Sequence, residues 1–165
     1  MNYFRLLDIE QEYTIDQNFL HKQYLNKQKF YHPDRAKNDS ERAECVSASI
    51  DINKAYKVLK DDYLRAEYLL TLLGQKFDDE HLKNLLSYEE FEEIMESYEI
   101  IDNTDSIPEL NHIMEKKLSQ KKTVIAELTE SFKQNNITKA LDLTIRLKYL
   151  TNLVGNIRSK IQTCR

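Results

Sequence analysis

The sequence predicts an all-α protein, and three observations carry that reading. Its 165 residues include only two Gly and two Pro, too few for the tight turns that a sheet needs. Apolar residues recur three and four apart over long runs, the spacing of a helix face turned toward a core. The breaks between runs fall on cap and stop residues rather than on alternating stretches. The expected architecture is an antiparallel helical hairpin with short helices over 1–73, a linker over 74–86, and a three-helix bundle over 87–165.

Taken in order, Asn2 to Ile9 reads as a short helix with Tyr3, Phe4 and Leu7 on its buried side. A second helix begins after Asp16, a residue suited to the N-cap, and runs to Tyr31. Leu20, Tyr24 and Tyr31 share its inner face with Lys27, whose stem is expected to be buried and its ammonium carried out to water. The chain then reaches Phe30-Tyr31-His32-Pro33-Asp34-Arg35. Pro33 lacks an N–H and its ring clashes with the preceding turn, so the helix must stop. Polar residues lead to a third helix from near Ser40, where Cys45, Ala48, Ile52, Ala55 and Leu59 repeat at alternating three- and four-residue steps. Two alanines in that seam suit a close antiparallel approach to the second helix, with Tyr56 flanking it. A leucine-rich helix over 64–73 then ends at Gly74, a natural C′ residue.

In the second half, Ser87-Tyr88-Glu89-Glu90 is a capping-box signal that starts a helix at 88. Phe91, Ile94, Met95, Tyr98 and Ile101 form an apolar stripe on that acidic helix. Ser106-Ile107-Pro108-Glu109 opens the next one, with Pro in its first turn. It extends to about Gln134, with Leu110, Ile113, Met114, Ile125, Leu128 and Phe132 inward. After Asn135-Asn136, the last helix carries Ala140, Leu143, Leu147, Leu150, Val154, Ile157 and Ile161 on one seam. Leu141, Ile145, Tyr149 and Leu153 lie beside it; the first, second and fourth suit a wide core face, whereas the Tyr149 hydroxyl wants a polar neighbour. Short connections among three helices argue for an antiparallel bundle.

Composition narrows the function. The formal net charge of −4 conceals segregation. Residues 78–109 hold twelve Asp or Glu and one Lys, whereas 110–165 hold eleven Lys or Arg and four acids. Segments polarised this way match one another within the fold or match partners. Cys45 and Cys164 are single and distant, which implies neither a disulfide framework nor a zinc site, and suits a reducing compartment. No apolar run reaches about 18 residues, so no membrane span is expected. The N-terminus lacks the features of a signal or transit peptide, which points to the cytoplasm. His21, His32, His81 and His112 show no ligand spacing, and there is no glycine-rich loop, HExxH or nucleophile elbow. An enzyme, a metal site and a bound cofactor are therefore not expected. With a pI near 5.6 and no dense Arg/Lys helix, neither is nucleic-acid binding.

His32-Pro33-Asp34 alone proves little, since a tripeptide recurs by chance at roughly one position in 8,000. Its surroundings decide. A short helix, a basic helix ending Tyr31-His32-Pro33-Asp34, and a helix ending Ile52-Asn53-Lys54-Ala55-Tyr56-Lys57-Val58-Leu59 together resemble the J-domain of DnaJ-type co-chaperones. Arg65-Ala66-Glu67-Tyr68-Leu69-Leu70 and the opening Asn2-Tyr3-Phe4 narrow the resemblance to the HscB family, which serves iron–sulfur cluster assembly. The likeness runs over essentially the whole chain and is strongest over 1–73.

The resemblance implies a co-chaperone that accelerates ATP hydrolysis by a DnaK/HscA-class chaperone and delivers to it an IscU-type iron–sulfur scaffold. His32, Pro33 and Asp34 would dock on the chaperone, with Lys22, Lys29 and Arg35 steering. Phe91, Met95, Glu96 and Glu99 would meet the scaffold, with Tyr149 the matching aromatic. Two departures stand out: Lys27 occupies a position where the family usually has Leu, and the basic cluster is sparser than in many J-domains. The competing reading is a general J-protein for unfolded clients, but such proteins usually carry a Gly/Phe-rich stretch or CxxC repeats, and this chain has neither.

Overall fold

The computed structural model describes residues 1–76 and 87–164. Among the described residues the helices are α1 (Tyr3–Leu6), α2 (Gln17–Phe30), α3 (Asp39–Lys60), α4 (Asp62–Leu72), α5 (Tyr88–Asn103), α6 (Ile107–Lys133) and α7 (Ile137–Thr163), with a 3₁₀ turn at Pro33–Arg35. Contacts divide the chain within α4, into Met1–Leu69 and Leu70–Arg165. Most of the expected linker, 77–86, lies outside the described residues.

In the first unit, Asn2 caps α1 by accepting from the Phe4 and Arg5 amides. Phe4 and Leu7 are fully buried, and the Tyr3 ring stacks on Tyr68 at 4.5 Å between centroids. Asp16 caps α2 as expected, and Tyr31 ends it. Asn38 caps α3. Of the α3 seam, Ile52, Ala55 and Leu59 have no exposed surface, whereas Cys45 and Ala48, nearer the turn, are half-buried.

Polar side chains lock α2 to α3. Tyr56 Oη lies 2.9 Å from His21 Nδ1, and Tyr24 donates to Asn53 Oδ1 at 2.9 Å. Gln28 donates to Asn53 Oδ1 at 2.9 Å and accepts from Ser49 Oγ at 2.9 Å. Partners descend α3 as residues ascend α2, which is an antiparallel register. The Tyr24 and Tyr56 rings stack at 4.1 Å, adding dispersion contact to that ladder. Lys27 departs from expectation. Its ammonium turns to Asp8 at 2.6 Å, so the cation on the inner face of α2 pairs with the segment after α1.

Arg65 of α4 is only 4% exposed. It donates to the Tyr13 and Leu59 carbonyls, both at 2.7 Å, and to Asp62 at 2.6 Å. Its guanidinium also lies 4.9 Å from the Tyr13 ring centroid, and burial pushes the Tyr13 phenol well above its usual range. At the end of α4, Gly74 takes φ +87. The Gln75 amide donates to Leu70 and the Gly74 amide to Thr71, the hydrogen-bond pair of a Schellman stop.

The second unit is the expected three-helix arrangement. Ser87 and Glu90 form a complete capping box on α5. Ser106 caps α6, with Pro108 in the first turn. Asn135 adopts φ 53 and Asn136 caps α7, so α6 and α7 form a long hairpin. All seven residues of the α7 seam are buried, as are Leu141, Ile145 and Leu153 beside it. Ile101, Leu110, Leu153, Ile157 and Ile161 form one core cluster drawn from all three helices. On α6, Leu110 and Leu128 are buried and the other expected residues are intermediate, while Val124, outside the expected set, is buried too. Lys160 of α7 donates to the Ile101 and Asp102 carbonyls, capping the C-terminus of α5 where cations are favoured. No described helix is long and apolar enough to cross a membrane.

Replacing Arg65 with Met strands two buried carbonyls and the Asp62 carboxylate. Chemical denaturation of Arg65→Met is expected to show a loss of about 3 kcal/mol, and a change below about 0.5 kcal/mol would mean that the buried guanidinium is not a structural tie.

Candidate functional site

The hairpin tip is built by its own backbone chemistry. Pro33 stands at the first position of the 3₁₀ turn, where its missing N–H costs nothing. His32 is held at φ −67, ψ 129, the extended geometry that a following Pro imposes. The turn closes through the Arg35 amide on the His32 carbonyl at 3.0 Å and the Ala36 amide on the Pro33 carbonyl at 3.2 Å. His32 Nδ1 accepts from the Asp34 amide at 3.3 Å, which leaves the neutral ring proton on Nε2, facing outward.

The tip's polar groups point to solvent: the His32 and Asp34 side chains are 59% and 79% exposed. His32 Nδ1 lies 3.6 Å from the Asp34 carboxylate. Arg35 turns back along α2, with Nη1 3.4 Å from the Lys29 carbonyl. Lys22 and Lys29, two turns apart on α2, are exposed. The structure therefore brings His32, Pro33, Asp34 and Arg35 together at one tip and leaves Lys22 and Lys29 free along the helix behind it.

The expected stripe on α5 splits. Ile101 is buried and Ile94 and Tyr98 are partly buried, but Phe91 and Met95 remain 48% and 51% exposed. Met95, Glu96 and Glu99 line a shallow groove with Glu92 and Tyr98. Phe91 stands one turn before Met95. Apolar carbon at the centre with carboxylates around it is the composition of a transient interface. Ile100, on the other flank of Glu96, is also exposed.

Tyr149 sits elsewhere. It lines a cavity of about 70 Å³ on the inner side of α5, with Ile94, Ser97, Lys117 and Arg146. There Lys117 donates to Ser97 Oγ at 2.9 Å, and burial lowers its affinity for a proton despite the nearby Glu93. Tyr149 also neighbours Tyr98, whose phenol is held up by burial first and by Tyr149 second. Tyr98 itself lines the Met95 groove, so the phenol nearest this groove is one that feels Tyr149. Among the described residues, no group of three or more His, Cys, Asp or Glu is placed to hold a metal ion.

Comparison with known proteins bears on both units. A DnaJ domain model matches residues 2–68, and the model described as the HSCB C-terminal oligomerisation domain matches 89–158. The co-chaperone protein HscB homolog of Shewanella woodyi is 31% identical over 161 residues, covering 93% of this chain and 92% of its own. The homolog of Psychromonas ingrahamii is 46% identical over 83 residues, so that match spans about half of each chain, 49% in both cases. Among solved structures, chaperone HscB from Vibrio cholerae superimposes with a TM-score of 0.84 at 27% identity, over 100% of both chains. Human co-chaperone HscB shares the fold, with a TM-score of 0.89 at 24% identity over 97% of this chain and 82% of its own.

Because Phe91 and Met95 are half exposed, the double variant Phe91→Ala, Met95→Ala is expected to keep its helical circular dichroism and to lose less than about 1 kcal/mol of stability. Unfolding of the bundle by this variant would assign both residues to the core instead.

Proposed function

This chain belongs to the HscB family of J-domain co-chaperones, and from that premise we propose that it stimulates the ATPase of a DnaK/HscA-class chaperone and delivers an IscU-type iron–sulfur scaffold to it, in a bacterial cytoplasm. The first unit acts as the trigger and the second as the client holder. The hydrolysis belongs to the chaperone; the chain contributes contacts and no reacting group.

One observation carries the trigger: a carboxylate, Asp34, stands free in solvent at the end of a stiff hairpin. Such a group forms charge-assisted hydrogen bonds with a cationic partner, and the turn behind it is already fixed, so little order is lost on docking. His32 presents Nε2–H beside it as a donor, complementing the accepting carboxylate. Lys22, Lys29 and Arg35 supply long-range attraction to an acidic partner, which raises the association rate more than the affinity.

For the client, the support is the half-exposed pair Phe91 and Met95 with Glu96 and Glu99 along the same side of α5. A scaffold presenting apolar residues within a basic rim would fit that strip. Tyr149 would enter from the cavity side, through Tyr98.

Asp34→Asn removes the charge and keeps the shape. It is expected to fold as the wild type and to abolish stimulation of a DnaK-class ATPase; undiminished stimulation refutes the trigger. In calorimetric titration, Phe91→Ala with Met95→Ala is expected to weaken binding to an IscU-type scaffold by tenfold or more, at roughly 1.4 kcal/mol per decade, and unchanged affinity refutes the client site.

A further inference from the structure

We propose that the cavity between α5, α6 and α7 binds a small zwitterion, an α-amino acid of about alanine size, with Lys117 and Arg146 taking its carboxylate and Gln120 and Glu90 its ammonium. This goes beyond the co-chaperone reading and does not depend on it.

The cavity measures about 70 Å³, room for a molecule of a few heavy atoms. Ile94, Leu150 and Leu153 give it an apolar wall. Lys117 and Gln120 line it from half-buried positions, and Glu90, Glu93 and Arg146 reach it from exposed ones. The core of a helix bundle ordinarily fills such a gap with carbon. An apolar wall with a few convergent polar groups is instead the composition of a ligand site.

These polar groups are short of partners. Gln120 Oε1 is buried and, among the described residues, accepts from no donor, and a buried acceptor left in that state is costly. Lys117 gives one hydrogen bond, to Ser97 Oγ at 2.9 Å, and Ser97 Oγ is itself spent on the Glu93 carbonyl at 2.8 Å. An ammonium carries three protons. Among the described residues, no carboxylate pairs with Lys117 or Arg146 within salt-bridge distance.

The layout of charge selects the ligand class. Lys117 stands at the level of Ser97, and its hold on a proton is lowered by burial first and, against the pull of Glu93, by Lys116 and Arg146. Glu90 lies two turns earlier on α5, which is about 10 Å at the helical rise. There, burial and then Glu90 hold the Asp142 carboxyl above its usual range. One end of the cavity thus gathers cations and the other gathers carboxylates. A ligand of single charge meets like charge at one end, whereas a zwitterion meets its opposite at both, the condition under which buried charge is tolerated. Two hydrogen bonds of about 2.8 Å with a short amino acid between them bridge that separation, and the apolar wall suits a small side chain.

Titration of the full chain with L-alanine, followed by NMR, is expected to move the Ser97, Gln120 and Tyr149 amides along one saturating curve with a Kd of about 1 mM or tighter. Acetate and ethylamine each keep one of the two charges, and L-phenylalanine keeps both but exceeds the cavity. All three are expected to bind at least about tenfold more weakly. Arg146→Leu and Gln120→Leu are expected to weaken alanine binding by about tenfold or more while keeping the helical circular dichroism. In the absence of alanine, Gln120→Leu exchanges an unpartnered amide for carbon of similar volume, so its denaturation midpoint is expected to hold or rise. A fall in that midpoint would mean that the amide is already satisfied, and overturns the site. No saturating shift up to about 20 mM alanine makes the cavity a water pocket and overturns it equally. Acetate, ethylamine or phenylalanine binding as tightly as alanine overturns the zwitterion.

Discussion

Pro33 has no amide hydrogen to give to the helix before it, and the first unit is arranged around that constraint. Because α2 cannot continue, the chain must reverse, and because His32 is forced to be extended, it reverses within a few residues. The turn is then closed by two backbone hydrogen bonds and one from the Asp34 amide to the His32 ring. None of these occupies the Asp34 carboxylate. A rigid tip with an unspent charge is the product.

A tip is only as stiff as the hairpin that carries it. Here the pairing of α2 and α3 is unusually polar along one side, where His21, Tyr24, Gln28, Ser49, Asn53 and Tyr56 form a directional ladder. Apolar burial is non-directional and permits sliding, whereas hydrogen bonds with fixed partners specify the register. At the far end, Arg65 ties α4 to the Tyr13 segment and to the last turn of α3. The second unit uses a different economy. Its α7 buries a wide face, so α5 can keep half of its apolar residues outside and still be anchored by Ile101 and by Lys160 at its C-terminus.

Much of this was legible in the sequence. The caps Asp16, Ser87 and Ser106, the stop at Gly74 and the α7 seam each depend on local chemistry, and each stands where that chemistry places it. What was not legible depends on the third dimension. Periodicity says that Phe91, Met95, Tyr98 and Ile101 lie near one another on α5, but not how many of them another helix covers. It says that Lys27 faces inward, but not that Asp8 waits there. Arg65 could be read as part of a motif; that it would be buried with three oxygen partners could not. Tyr149 was legible as an aromatic needing a polar neighbour, and the structure gives it a different side of α5 from Met95.

The central claim is that this chain acts through its exposed tip on another protein's ATP hydrolysis. The direct measurement is single-turnover ATP hydrolysis by a DnaK/HscA-class chaperone with the wild-type chain added, alone and together with an IscU-type scaffold. The account predicts faster hydrolysis with the chain alone and a further gain when the scaffold is present. Hydrolysis at the chaperone's basal rate under both conditions would contradict it.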